Sequence, residues 1–497
     1  MRRICHYWGP VSARQCQRVS LGLLFTWAAV FLCSTLHPNL DKSDSNRASI
    51  GCTNELRKMN TNAHNIAKWR HCWSYGSFTF SRGPAYLMKD ANCSLPFIRI
   101  LLFGRRFNRL KAFCDLLHAN DSNGRHFQTV VHNETATLLI TDPHARTRVR
   151  DAEVPHWPQF MHCTVANRSF TDVTVTHVTV RFNAVVAAHI VSAGMASSTC
   201  TLPVVAEHAS HAPVAVGLHV CVKTVHSAFA SWWRVLLFAE WCRWAGVQHV
   251  WVYRHSASQD VDTLLTHYQR NRFFTILESA DDLEASNRAV QHMEQHDCLL
   301  RLSGRAKYVA LLDWDEFILS TDAAKNAQQH YLLKYLEWQV SDPEVDRTVG
   351  GWMFQQVAAY KLRALSELTN VSTITGVSSH ALRSYLVRLL GVLPTSPVSK
   401  PMERSKMIVR PERVHTMLVH HVQQYRRFGA NLSEQFVTEN VHPMLIRLYH
   451  MREKHIDAMK ATNKRPSPFN DVMLNNIMMH MQNTVDETRL TASNGST

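Results

Sequence analysis

Two patterns of hydrophobic and polar positions divide the chain. Between Trp69 and Ala215 short apolar stretches are broken by turn residues. The clearest is VTVTHVTVRFNAVVAAHIV, from Val173 to Val191, whose alternation has the period of a half-buried strand. From about Val216 apolar runs alternate with helical periodicity. VGLHVCVKTV (Val216–Val225) predicts a buried strand, and FASWWRVLLFAEWCRWAG a helix that stops at Gly246. VQHVWVYRH (Val247–His255) predicts a second strand, followed by a helix around Asp260–Arg270 and the strand FFTILES from Phe273. A longer helix over Glu284–Leu302 leads to the strand KYVALLDWDEFIL, which begins at Lys307. Such alternation implies an α/β fold, a Rossmann-like and mostly parallel sheet wound with right-handed crossovers. Ligands of such sheets bind beyond the carboxyl ends of the strands, which puts Asp313 and Asp315 at the ligand edge.

The segment AKYVALLDWDEFI concentrates the candidate chemistry. An apolar strand runs into Asp313, Asp315 and Glu316, three acids within four positions. Carboxylates so close repel one another unless a cation or strong donors compensate. Mg²⁺ and Mn²⁺ take oxygen ligands and bridge to phosphate oxygens. Residues two apart on a strand point the same way, so both aspartates face one ion if the backbone stays extended there. An Asp-x-Asp triplet alone is usually a solvated turn; the buried strand before it is what singles this one out. Glu316 is expected to support the site rather than cap the next segment. His292 and His296 raise the rival of a zinc hydrolase, but Met293 stands where a metalloprotease needs glutamate, and Glu294 comes one place later. There is no G-x-S-x-G elbow and no P-loop.

The N-terminus changes the setting. Arg2, Arg3, Arg14 and Arg18 precede an uncharged stretch from Ser20 to Leu36, and the first acidic residue is Asp41. Seventeen residues span about 25 Å as a helix, enough for a thin bilayer, with the positive flank held in the cytoplasm. A cleaved signal peptide is the alternative, and the lack of a small-x-small site after Leu36 favours an uncleaved anchor. The expected organisation is a cytoplasmic tail (1–19), a signal-anchor helix (20–36), a stem (37–68), a β-rich lumenal accessory domain (69–215), a catalytic domain (216–455) and a C-terminal extension (456–497). Seven Asn-x-Ser/Thr sequons, at Asn92, Asn120, Asn133, Asn167, Asn370, Asn431 and Asn494, agree with a lumenal body. Nine of the twelve cysteines follow the anchor, predicting a few disulfides in the N-terminal half and at least one thiol left over. Cys221, Cys242 and Cys298 sit in apolar patterns and are expected to be buried small hydrophobes.

With 45% hydrophobic and 19% charged residues the chain can bury real cores. The formal charge of +15 is scattered, without the basic runs, zinc-finger spacing or RNA-binding signature of a nucleic-acid partner. It suits an anionic substrate.

The stretch from about Cys221 to Arg452 resembles glycosyltransferase family 92, whose members include a galactosyltransferase acting on fucose of N-glycan cores. The matching blocks occur in the family's order: Cys221-Val222-Lys223, WWRVLLFAEWCRWAGVQHVWVYRHSAS (Trp232–Ser258), DVDTLLTHY (Asp260–Tyr268), AVQHMEQHDCLLR (Ala289–Arg301), AKYVALLDWDEFI (Ala306–Ile318), SKMIVRPERV (Ser405–Val414) and LIRLYHMRE (Leu445–Glu453). The family's last block usually reads His-Tyr-Arg, where this chain has Tyr449-His450-Met451-Arg452. The resemblance implies a GT-A nucleotide-diphospho-sugar transferase fold in a Golgi membrane protein. It implies a UDP-linked donor, galactose being the family's suggestion, and a glycan or glycoprotein acceptor. It also implies a Mn²⁺ or Mg²⁺ ion and inversion at the anomeric carbon. It makes Asp313, Asp315 and His450 the metal residues, with Glu316 behind them. Asp297 and Arg301, or a plain i,i+4 helix pair, and Lys406 and Arg410, or a solvated strand face, join Asp313 as candidates for donor contact. The catalytic base is left open among Glu403, Glu412, Glu434 and Glu439. The rival function is a non-catalytic lumenal carbohydrate-binding or scaffold protein on a transferase-like fold.

Overall fold

The computed structural model describes the backbone of strands within residues 70–206 and, with side chains, residues 217–226, 229–279, 290–359, 396–426, 434–452, 469 and 471–488. The expected tail, anchor and stem lie outside the described residues, as do the side chains of all seven sequon asparagines. Among the described residues no helix is long and apolar enough to cross a membrane. Between Ala85 and Ala206 eight strands form one sheet, antiparallel except where Thr199–Ala206 pairs with Ala85–Lys89. The alternating run from Val173 contributes the strand Val175–Phe182 to it.

From Ala215 strands and helices alternate: β1 (Ala215–Val225), α1 (Trp232–Ala245), β2 (Val247–Arg254), α2 (Gln259–Arg270), β3 (Phe274–Glu278), α3 (Arg288–Leu302) and β4 (Ala306–Leu312). The apolar runs become strands of a sheet covered on both faces, where alternation is not needed. α1 is buried nearly all round, with Trp232, Phe238 and Trp241 at most 1% exposed. It ends where Gly246 takes φ 94°, a left-handed cap that suits glycine. α2 starts on Ser258, whose hydroxyl accepts the Val261 N–H at 3.4 Å.

The chain continues through β5 (Glu316–Ser320), α4 (Tyr331–Gln339), β6 (Val349–Phe354), β7 (Gln356–Leu362), β8 (Lys406–Val409), β9 (Val437–Asn440), β10 (Ile446–Ile456) and α5 (Asp471–Asn494). The main sheet has the order β3-β2-β1-β4-β8-β6-β9, with β8 alone running against its neighbours. β5, β10 and β7 form a second, three-stranded sheet. One core holds α1, α2, α4 and α5, so Met473, Ile477 and Met481 of the C-terminal extension bury with Trp241 and Phe317. A second core, on the α3 side, gathers Trp251, Tyr253, Leu299 and Leu302.

Two expectations change. The strand from Lys307 does not run straight through the acids: the Glu316 N–H bonds the Asp313 carbonyl at 3.1 Å, a turn that ends β4 and hands the chain to the second sheet. Cys221 and Cys298 are not separate buried thiols but a disulfide tying β1 to α3. Their apolar surroundings misled, because an enclosed disulfide needs the same company as a buried thiol. Cys242 is free and buried, as expected.

Candidate active site

The turn at Asp313-Trp314-Asp315 stands at the carboxyl end of β4, where α/β sheets bind ligands. Trp314 faces inward. It is 5% exposed, packs against Phe229, Phe238 and Phe274, and donates its indole N–H to the Lys223 carbonyl at 2.9 Å. That buried anchor leaves the two flanking aspartates at the surface of the edge, each with a side chain 21% exposed.

Strand register brings distant residues to this turn. Glu316 of β5 pairs directly with His450 of β10, and the Met451 N–H bonds the Asp315 carbonyl at 2.8 Å. His450 therefore sits between two acids: Nε2 is 3.4 Å from Asp315 Oδ2, and Nδ1 is 3.5 Å from Glu316 Oε1. The latter is too long for a good hydrogen bond, and Nδ1 is a buried polar atom without a hydrogen-bond partner among the described residues. From β8, paired with β4 through Val309–Val409 and Ala310–Ile408, Lys406 reaches Asp313 Oδ1 at 3.0 Å and Glu316 Oε2 at 3.1 Å. Arg234 of α1 lies 3.9 Å from Asp315 Oδ2, and Gln291 of α3 donates to Asp313 Oδ1 at 3.4 Å.

Burial alone would raise the Asp313 carboxyl, but Lys406, Lys223 and His450 outweigh it and hold Asp313 below the usual carboxylate range. Glu316 lies deeper. Burial and repulsion from Asp313 and Asp315 push it up to about 7, against the pull of Lys406 and His450. For Lys406, burial disfavours the charge, and the two carboxylates more than reverse this, holding the ammonium above the ordinary lysine value.

A sequence model of glycosyltransferase family 92 matches residues 216–490, more than half of the chain. The chain belongs to this family. Its mostly parallel sheet carries an acidic turn at the carboxyl edge. Among solved structures, S. aureus TarS residues 1–349 is similar at 12% identity, over 30% of this chain and 36% of that one, with a TM-score of 0.18. The chain thus spans about a third of that fragment. Glucosyl-3-phosphoglycerate synthase from Mycobacterium tuberculosis, solved with Mn²⁺, UDP and glucosyl-3-phosphoglycerate, is similar at 11% identity, over 55% of this chain and 79% of that one, with a TM-score of 0.22. No curated protein sequence matches the chain.

Of the residues expected in this family 92 site, Asp313, Asp315, Glu316, Lys406 and His450 converge. Glu316 supports the turn as expected, its Oε2 accepting the Asp313 N–H at 2.9 Å. Lys406 is not on a solvated strand face: its side chain is 1% exposed and engaged with the acids. Arg410 is absent from the site. Its guanidinium pairs with Asp346 at 2.6 Å and Glu412 at 3.2 Å, and β8 runs away from the ligand edge toward it. Asp297 and Arg301 form the plain helix pair, 2.7 Å apart, with Tyr253 also donating to Asp297 at 2.6 Å; at 0% and 6% exposed they are closed to a nucleotide. His296 spends both ring nitrogens on backbone, the His292 carbonyl at 2.7 Å and the Met417 N–H at 3.0 Å, which removes the zinc-hydrolase rival. Lys223, Arg234 and Gln291 were not singled out from the sequence. Only Lys223 and Arg234 carried a signal there, as basic residues inside the matching blocks on β1 and α1.

Among the described residues, no group of three His, Cys, Asp or Glu closes on a metal ion by itself. Asp315 Oδ2 and His450 Nε2, 3.4 Å apart, are nevertheless an oxygen and a nitrogen donor close enough that both would reach one divalent ion. The unpartnered Nδ1 faces Glu316 Oε1 at 3.5 Å, so a carboxylate stands behind the histidine without hydrogen-bonding it. The donor set fits a divalent ion that takes its remaining ligands from elsewhere.

Proposed function

We propose that this protein transfers a sugar, with galactose the first candidate, from a UDP-linked donor to a glycan acceptor by a single inverting displacement. The observation that carries this is the meeting of Asp315, Glu316 and His450 at the carboxyl edge of a mostly parallel sheet. Asp315 and His450 would hold a Mn²⁺ or Mg²⁺ ion, whose chemistry is to neutralise the diphosphate that departs. Glu316 lies behind His450, and Trp314 pins the turn to β1 so that the acids stay at the edge. Arg234, beside Asp315, adds positive charge where a diphosphate would lie.

Inversion also needs a base for the acceptor hydroxyl. The four candidates stand at different places on the sheet. Glu412 pairs with Arg410 and Arg413, and Glu434 with Arg347, just before the start of β6; both are at the end of the sheet away from the acids. Glu439 lies within β9 and accepts the Trp352 indole N–H at 3.1 Å. Glu403 is exposed, three residues before Lys406, on the loop that enters β8 from the ligand edge, which makes it the first of the four to test as the base.

The body of the protein belongs in the lumen of the Golgi behind an N-terminal anchor. The charged flank and apolar run support this, and the Cys221–Cys298 disulfide adds an oxidising environment.

The test is to incubate the purified full-length protein with UDP- and GDP-sugars and glycan acceptors, with Mn²⁺ or with EDTA. A UDP-sugar should be consumed only with metal. Asp315→Ala should lose roughly a hundredfold or more in turnover, and Glu403→Gln should lose roughly a hundredfold in kcat with donor binding retained. Glycan binding without turnover of any donor would turn the assignment toward a non-catalytic carbohydrate-binding protein.

A further inference from the structure

Lys406 is the residue whose place in the site the motif did not foretell. Three carboxylates in one turn need a compensating cation, and a divalent ion is the usual remedy. Here strand pairing has already supplied one. β8 runs antiparallel to β4 and delivers Lys406 to the level of the turn from the opposite direction. Its ammonium touches Asp313 at 3.0 Å and Glu316 at 3.1 Å, and its side chain is 1% exposed. The oxygens it engages are the ones the turn also uses internally: Asp313 Oδ1 receives Gln291, and Glu316 Oε2 receives the Asp313 N–H at 2.9 Å. Asp315 points the other way, toward His450 and Arg234.

We propose that Lys406 is a resident counter-cation, a positioning residue that bridges Asp313 and Glu316, offsets one of their two charges, and so leaves Asp315 and His450 as the pair this turn offers to a divalent ion. The acidic turn then holds its shape without metal, and Lys406, enclosed among the carboxylates, is not a ligand of the donor phosphates. The inference rests on the proposed function only for the identity of the ion. A buried ion pair broken from one side leaves an uncompensated charge, so replacing the lysine with a neutral side chain frees negative charge at the turn. The freed charge attracts cations.

Mn²⁺ titration of the full-length protein without nucleotide, read as free Mn²⁺ by electron paramagnetic resonance, distinguishes the possibilities. Lys406→Met should bind Mn²⁺ at least about tenfold more tightly than wild type, and Mn²⁺ should raise its unfolding temperature far more than that of wild type. Lys406→Arg, which keeps the charge, should stay close to wild type in both. If Lys406→Met does not fold in EDTA, the Lys406→Met/Glu316→Gln double variant removes one of the stranded acids, and its Mn²⁺ affinity should fall back toward the wild-type value. Unchanged Mn²⁺ affinity in Lys406→Met together with weakened UDP binding would overturn the proposal and make the lysine a diphosphate contact. Weakened Mn²⁺ binding in both Met and Arg variants would overturn it in favour of simple scaffolding. A wild type that turns over no UDP-sugar defeats the transferase chemistry but leaves these metal titrations to decide the role of Lys406.

Discussion

At the scale of single residues, the most exposed consequence lies one layer below the acids. Glu294 of α3 is buried and accepts hydrogen bonds from Thr224, at the end of β1, and from Ser279, just after β3, the latter at 2.7 Å. It latches the helix to the edge where the nucleotide would lie. Burial pushes its carboxyl from 4.5 up to about 7, the two hydroxyls pulling the other way and Asp297 adding to the rise. Between those values the folded protein keeps a proton that the unfolded chain has given up, so stability falls as pH rises through that window. Glu294→Gln, whose amide carries no charge, should flatten the slope. Chemical denaturation of wild type and variant at several values between about pH 4.5 and 7 checks it, and equal slopes would remove Glu294 from the account. The residue was invisible as chemistry in the sequence, where it counted only as a misplaced glutamate beside His292.

At the scale of elements, local patterning carried far. β1, β2, α2 and β4 begin within a residue or so of where the apolar runs put them, and α1 ends at the Gly246 stop signal although it starts three residues later than the run from Phe229, because buried parallel strands and a helix buried all round leave a strong composition signal. The acidic triplet was legible for the same reason, as a charge cluster after an apolar run. What was not legible is long-range register. Lys406 comes from β8 and His450 from β10, and only strand pairing decides that Lys406 meets Asp313 and Glu316, and His450 meets Asp315 and Glu316, while Arg410, four residues beyond Lys406, does not. The bend at Asp313 also escaped, since Trp314 reads equally well in a strand or in a turn until its ring finds Phe238 and the Lys223 carbonyl.

The β1–α3 disulfide makes an element-scale prediction. It closes a separation of 77 residues and ties the strand that holds Trp314 to the helix that carries Gln291 and Glu294. Loop-closure entropy of that size corresponds to about 4 kcal/mol. Cys298→Ser should lose a comparable share of stability in denaturant unfolding, and reductant should lower wild type toward the variant while leaving the variant unmoved. A variant as stable as wild type would mean that α3 is held by its packing against Trp251 and Tyr253 alone.

At the scale of the whole molecule, the disulfide and the N-terminal pattern bear on the same question from independent directions. On the proposed lumenal placement the disulfide enclosed in the core between β1 and α3 would form as the chain folds in an oxidising compartment, whereas a chain synthesised and kept in the cytosol would hold the two thiols reduced. On the proposed topology the apolar run from Ser20 to Leu36, with arginines before it, would supply the means of entry and the direction, tail in the cytosol and body in the lumen. The two therefore predict linked behaviour. In sealed microsomes the full-length chain should resist added protease except for a loss of about two kilodaltons from its tail, as a positive-inside anchor requires, and detergent should abolish the protection. A chain that begins after Leu36 should stay in the cytosol, with Cys221 and Cys298 open to alkylation and lower stability than the translocated protein. If that shortened chain forms the disulfide and matches the full-length protein in stability, the link between anchor, compartment and catalytic core is broken, whatever the acidic turn proves to bind.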